Sequence, residues 1–332
     1  MPPKRDASGR SKRAAEGSPH LLHETAGHLN DNYATVGVIG RGNFAEINLL
    51  RHKSTKEYAV LKTCCKLDAP SLAHLRNEAK VAADIVHSLV LKPLAIADSP
   101  GRAGSFSVLL PLCPGGDFLQ LLKAQENGRF SEDDAKAYTC MVILAIQAVH
   151  KAGYAYRDLK PENLLIRENG YLMLADFGLA ARFSQCGRAR VGTQMYQAPE
   201  IVRKSGHGAA VDWWALGCLV CEILNGSHPF HMEDEDAIDK SILAFQIGSQ
   251  VDQLVKPHWS STVASLVSGL LEPDPGERLQ GDAVLSNAWF ASVDWEGVAT
   301  MRIPAPRVPI TLDSNEDSLL VELTQRCQSG FD

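Results

Sequence analysis

The sequence has no apolar run long enough to cross a bilayer as a helix. Met141–Val149 and Ala215–Leu224 come nearest, and Gln147 and Glu222 interrupt them. An excess of positive charge is lacking too: 33 Lys and Arg face 39 Asp and Glu, a net charge of −6, which argues against a general nucleic-acid binder. The eight cysteines are scattered and follow no secretory signal. A disulfide framework is therefore not expected, and a reducing intracellular compartment is. Cys218 and Cys221 form a C-x-x-C, but no second pair completes a zinc site. Helix packing is the better reading of that pair. Internal repeats are absent as well.

What is present is the balance of a globular protein, 45% hydrophobic and 22% charged over 332 residues, enough for a large core. Residues 1–30, rich in Pro, Gly, Ser, Lys and Arg, are expected to form a disordered basic tail. Lys4-Arg5 and Lys12-Arg13 have the form of a split nuclear-import signal, although a solvated tail explains them better. The expected location is cytoplasmic, with nuclear entry left open. From Tyr33 the pattern changes. Tyr33–Ile39, Ala45–Arg51 and Glu57–Thr63 read as strands of a small antiparallel sheet, joined by Leu91–Ala97 and Phe106–Leu112. Ser71–Val86 has helical spacing. After Pro114-Gly115-Gly116 the chain turns helical, with Asp117–Ala124, Ser131–Ala152, Val211–Leu224 and Ser260–Leu271 as the clear segments. A β-rich first part is thus joined by a glycine-rich hinge to a helical second part.

Four local strings carry chemistry. Gly40-Arg41-Gly42-Asn43-Phe44-Ala45 lets backbone approach phosphate closely. A strand-like segment follows it, which favours a hairpin lid over the strand-to-helix turn of a dinucleotide fold. Alone, it reads equally as an ordinary glycine turn. Lys62 ends the run Tyr58-Ala59-Val60-Leu61-Lys62 and can neutralise phosphate charge, with Glu78 on the next helix as its natural partner. Taken singly, each of these two residues reads as a solvated charge. Tyr156-Arg157-Asp158-Leu159-Lys160-Pro161-Glu162-Asn163 differs in density. Asp158 can orient a hydroxyl or take its proton, Lys160 can stabilise a transferring phosphoryl group, and Asn163 offers a neutral oxygen to Mg²⁺. The carboxylate of Asp176, in Asp176-Phe177-Gly178, is a second oxygen ligand, although an Asp-x-Gly turn alone is common.

Together with Ala198-Pro199-Glu200, Asp212 and Arg278, this ordered set resembles the eukaryotic protein kinases, and the match runs from Tyr33 to Phe290. Lys160, two residues after Asp158, resembles the serine/threonine form. Tyr156-Arg157-Asp158, Pro114-Gly115-Gly116-Asp117-Phe118 and Val211-Asp212-Trp213-Trp214 are similar to the AGC group, the relatives of cyclic-AMP-dependent protein kinase. The resemblance implies an α+β, bilobal fold with a kinase domain over 31–292, lobes at 33–112 and 114–292, and a C-terminal tail over 293–332. It implies transfer of the ATP γ-phosphoryl group to Ser/Thr hydroxyls of proteins, with Mg²⁺ held by Asn163 and Asp176. Asp158, Lys160, Lys62 and Glu78 would be catalytic. The nucleotide would lie against Gly40, Gly42, Phe44, Ile47, Val60, Lys62, Pro111, Cys113, Asp117 and Leu165. Pro111 lacks an N–H but keeps a carbonyl acceptor.

The departures from the family pattern are informative. Ala45 replaces the third glycine, and Val60 replaces the usual alanine over adenine. No charged catalytic group is missing, so an active kinase is expected over a pseudokinase scaffold that binds nucleotide or partners without catalysis. Ala189 stands where relatives carry a phosphorylated threonine, and Ser184 is the only hydroxyl between Phe177 and Thr193. Activity independent of phosphorylation at 189 is expected, with the loop ordered constitutively or by a regulatory protein. Asp117, Glu162 and Glu222 match acidic positions that bind arginines two and three residues before the phosphoacceptor. The alternative, ordinary surface acids, explains them less well. Arg190, Gln194 and Gln197 replace apolar residues around the position after it, which predicts a polar or acidic preference there.

Overall fold

The computed structural model describes residues 22–42, 45–66, 68–99, 105–232, 234–246, 249–307 and 315–326. The basic pairs near the N-terminus and Phe44 lie outside them.

The first lobe is a six-stranded sheet in the order β1-β5-β6-β4-β3-β2. Its strands are β1 (Leu22–Thr25), β2 (Tyr33–Arg41), β3 (Ala45–His52), β4 (Tyr58–Cys64), β5 (Ala95–Ser99) and β6 (Ser105–Pro111). All neighbours pair antiparallel except β1, which lies parallel to β5. Two expectations are corrected here. Residues 22–30, assigned to a tail, form β1 and the start of α1 (Ala26–Asn32), whose Leu29 is buried with Leu50, Ala95 and Leu109. Backbone pairing to β5 and that small apolar cluster hold a stretch whose composition reads as polar. The strand expected over 91–97 starts only at Ala95. Leu91 instead gives its N–H to the Leu174 carbonyl of the second lobe (2.9 Å), and Pro93 has no N–H for a ladder.

One helix of this lobe, α2 (Ala69–Asp84), crosses the sheet. Asp68 caps it, accepting the Ser71 N–H at 2.8 Å, and Pro70 occupies its first turn. Leu75 and Ala79 bury against Ile96, Phe106 and Val108, which turns Glu78 toward the sheet.

The second lobe contains α3 (Phe118–Lys123), α4 (Glu132–Lys151), the short strands β7 (Tyr154–Ala155), β8 (Leu164–Ile166), β9 (Leu172–Leu174) and β10 (Ala181–Arg182), then α5 (Pro199–Val202) and α6 (Ala210–Asn225). After them come α7 (Glu235–Ala244), α8 (Ser249–Leu254), α9 (Ser261–Leu270), α10 (Asp282–Leu285) and α11 (Trp295–Ala299). The ends of α4 suit its dipole: Ser131 caps three acids in the first turn, and His150 and Lys151 close the last. The α6 helix is buried on every face, Cys218 and Cys221 included, and ends at left-handed Gly226 (φ 75°). Beside it, Arg278 grips Glu200 through two bonds of 2.7 and 2.9 Å, both residues buried.

A last helix, α12 (Glu316–Arg326), returns to the first lobe. Leu319 and Leu323 are buried against Ile39, Ile47 and Leu49, and Arg326 donates to the Pro114 carbonyl at 2.7 Å. No helix among the described residues is long and apolar enough to cross a membrane.

Candidate active site

The cleft between the lobes is floored and roofed by residues the sequence nominates. Ile47, Val60, Lys62, Pro111, Cys113, Asp117 and Leu165 line it, as do Glu78, Asn163 and Asp176. Gly40 and Gly42 lie at the tip of the β2–β3 hairpin, where Gly40 pairs with Ile47 and the Gly42 N–H meets the Ala45 carbonyl at 2.8 Å. Neither glycine contributes to the cleft wall itself. Sequence reasoning missed Ile39, Leu91, Leu110 and Ala175 on the wall. In β6, Leu110 follows Phe106 and Val108 at period two, whereas Ile39 falls out of phase with Val36 and Val38 beside a register shift in β2, and Leu91 and Ala175 come from loops.

Lys62 reaches Glu78 at 2.7 Å and lies 3.9 Å from Asp176. Burial alone would lower the Lys62 ammonium, but the Asp176 and Glu78 carboxylates outweigh it and raise it. Burial would likewise raise Asp176, yet Lys62 and then His74 hold it well below the usual carboxylate range. Asp176 therefore stays ionised, the state in which a carboxylate can bind a metal ion.

Asp158 is held from three sides. The Thr193 N–H and hydroxyl both donate to its Oδ1 at 2.9 Å, and Asn163 donates Nδ2 to its Oδ2 at 3.0 Å. Lys160 lies 3.6 Å from Asp158 and donates to the Thr193 Oγ1 at 3.0 Å. Because Asn163 spends its amide N–H₂ on Asp158, its amide oxygen remains an acceptor beside Asp176. A neutral oxygen and an ionised carboxylate form a hard-donor set that fits Mg²⁺.

Two backbone features keep this arrangement in place. Arg157 (φ 70°) and Asp176 (φ 50°) are both left-handed, a conformation that costs a non-glycine residue about 1–3 kcal/mol. The strain at Arg157 is offset by Asp212 of α6, buried at 1% exposure, which accepts the Tyr156 and Arg157 N–H groups at 2.8 and 2.7 Å and meets His150 at 2.7 Å. At Asp176-Phe177-Gly178, Asn77 donates its amide to the carbonyls of Phe177, Gly178 and Ala180 at 3.1, 3.0 and 2.8 Å. A side chain at 178 would collide with His74, whose ring lies 1.9 Å from the position of a β-carbon. Sequence reasoning had no signal for Asn77.

The sequence profile of the protein kinase domain matches residues 33–290. The chain belongs to the protein kinase family. It is 33% identical over 310 residues to the mouse (Mus musculus) cAMP-dependent protein kinase catalytic subunit PRKX, covering 90% of this chain and 83% of that one. It is 34% identical over 295 residues to cAMP-dependent protein kinase catalytic subunit 2 of Drosophila melanogaster, covering 86% and 80%. A RAC family serine/threonine-protein kinase homolog of Dictyostelium discoideum is 30% identical over 296 residues, covering 86% and 64%. This protein kinase is AGC-like and bilobal, transfers phosphate from ATP to serine and threonine, and uses Mg²⁺.

Of the three acids expected to meet substrate arginines, Asp117 and Glu162 line this kinase's cleft. Asp117 lines the cleft and caps α3, accepting the Gln120 N–H at 3.0 Å. Glu222 accepts the Tyr196 hydroxyl, and burial pushes its carboxyl up to about 7. Glu162 is raised by burial too, and its Oε2 has no hydrogen-bond partner among the described residues.

Proposed function

We infer the following roles for these residues in phosphoryl transfer. The adenine of ATP packs on Ile47, Val60 and Leu165 against the backbone of Pro111–Cys113, under the lid that carries Gly40 and Gly42. Lys62, fixed by Glu78, neutralises the α- and β-phosphates. Asn163 and Asp176 hold Mg²⁺, which when bound neutralises charge on the phosphate oxygens. Asp158 orients the substrate hydroxyl and accepts its proton as the hydroxyl oxygen bonds to the γ-phosphorus. The bond from that phosphorus to the bridging oxygen breaks and ADP leaves, while Lys160 balances charge on the moving phosphoryl group.

The observation that supports this reading best is the posture of Asp158. Its carboxylate is pinned by Thr193 and Asn163 beside Lys160, on the side of the cleft that also holds Asp176.

The substrates inferred are proteins with basic residues before the phosphoacceptor, received by Asp117, Glu162 and Glu222. The Oε2 of Glu162, which has no partner among the described residues, and the nearby Glu222 carboxylate favour an arginine fork. After the phosphoacceptor, a polar residue is favoured. The acidic preference expected from Arg190 is weakened, because Asp239 already matches its charge at 2.5 Å. Transfer of label from γ-labelled ATP to a peptide array tests all of this. Wild type should label arginine-containing peptides, and Asp158→Asn and Lys62→Met should lose roughly a hundredfold or more of the rate. An Asp158→Asn protein that labels at the wild-type rate would refute the assignment.

A further inference from the structure

The activation segment runs from Asp176 to Glu200 with alanine at 189, so order cannot come from a phosphate there. Arg157, the side chain that reads such a phosphate in relatives, is engaged with neutral groups instead. Its Nε donates to the Leu179 carbonyl at 2.9 Å, and its Nη1 lies 3.3 Å from His207 Nε2.

The segment is nevertheless tied to the second lobe two positions after Arg188. Arg190 presents both terminal nitrogens to Asp239 of α7, at 2.7 and 2.5 Å, and its Nε donates to Gln197 Oε1 at 2.7 Å. Gln197 passes the contact on, giving its amide to the Gly192 carbonyl at 2.8 Å. Gln194 adds a second tie to α7, donating to Asp239 Oδ1 at 2.9 Å and to the Glu235 carbonyl at 2.7 Å. Gly192 is left-handed (φ 83°), and a β-carbon there would stand 2.3 Å from the Arg157 carbonyl, so the turn presses directly on the catalytic loop. The next residue, Thr193, makes both bonds to Asp158. A continuous polar path therefore runs from Asp239 through Arg190, Gln197 and Gly192 to Thr193 and Asp158.

We propose that Asp239 is the anion that anchors the activation segment, a positioning residue on α7 that acts through Arg190 to hold Thr193 against Asp158 with no phosphate on the segment. A bidentate guanidinium–carboxylate pair is directional as well as charged, so it fixes the loop in one register as a phosphate–arginine pair would. Burial would raise the Asp239 carboxyl, but bonds from Arg190 and Gln194 outweigh it and lower it, which keeps the anion charged. Three polar residues stand at 190, 194 and 197, and each is engaged in this one network.

The inference rests on the role given to Asp158, and its test has an arm that does not depend on activity. The variants are Asp239→Asn, Arg190→Leu and the charge-swapped pair Arg190→Asp with Asp239→Arg. Each single change should lower kcat/KM for peptide on the order of tenfold, through peptide KM and kcat, with the KM for ATP nearly unchanged. The swapped pair should recover most of that loss, which lost packing alone would not do. Trypsin cleavage after exposed Arg188, read by intact mass, should quicken in Asp239→Asn on the order of tenfold and slow again in the swapped pair. Wild type expressed in bacteria and treated with phosphatase should keep its activity. Three results would overturn the proposal: single variants with unchanged peptide kinetics and cleavage, a swapped pair as impaired as the singles, or a phosphatase-treated wild type that loses activity. Loss of label transfer with an unchanged cleavage pattern in Asp158→Asn would bear on the catalytic assignment alone.

Discussion

The carboxylate of Asp212 accepts the backbone N–H of Arg157 at 2.7 Å, and that bond holds a left-handed arginine in the catalytic loop. The same carboxylate serves Tyr156 and meets His150. Asp212→Ala leaves these groups without their acceptor and releases the strain at Arg157. We expect a loss of about 3–5 kcal/mol in stability by urea denaturation, with kcat falling further than the KM for ATP. Asp212→Asn, which keeps an acceptor oxygen for one of the two N–H groups, should cost less. A variant Asp212→Ala within about 0.5 kcal/mol of wild type would contradict this account.

A second buried carboxylate, Glu200, depends on Arg278. Arg278→Met should cost about 3–5 kcal/mol, because it strands a charge in the core. Adding Glu200→Leu should return part of that loss in a double-mutant cycle. If the two changes were simply additive in urea melts, the pair would not be coupled.

These two carboxylates mark what was legible in the sequence. Asp158 and Asn163 stood out because several polar side chains crowd into Tyr156–Asn163, whereas Lys62 and Asp176 gained their reading only from the ordered set they form with that string. The strands β2, β3, β4 and β6 and the long helices were legible from periodicity and caps. Asp239 was not: a half-buried acid on a surface helix reads as solvated until the fold brings Arg190 to it. Asn77 reads as one more helix residue, and only the tertiary path of Phe177–Ala180 gives its amide three carbonyls. Residues 22–25 were misread because pairing to β5, rather than their own composition, makes them a strand.

Substrate recognition should depend on pH near neutrality. Burial raises the Glu222 carboxyl to about 7, Glu162 adds to the rise, and Tyr196 and Lys123 oppose it. The folded-state value thus lies above the unfolded ~4.3, so this group's contribution to stability is present in acid and fades as pH rises through its folded value. Recognition runs the other way, since only the ionised form attracts a guanidinium. Between pH 8 and 6 the KM of a peptide with arginine upstream should rise, by up to about tenfold one unit below the carboxyl's midpoint. A peptide without that arginine, and the variant Glu222→Gln, should show a flat profile. A steep profile retained in Glu222→Gln would assign the effect elsewhere.

The helix α12 should matter for nucleotide as well as stability. Leu323 is 1% exposed and packs beside Ile39 and Ile47, which line the cleft. Leu323→Ala should cost about 2–4 kcal/mol in thermal or urea unfolding and raise the KM for ATP. An unchanged KM for ATP in the destabilised variant would mean that α12 supports the sheet without shaping the cleft.

The pairing of Arg190 with Asp239 has a consequence for how such an enzyme is governed. A loop closed by its own ion pair needs no upstream enzyme to write a phosphate at 189 and leaves nothing there for a phosphatase to erase.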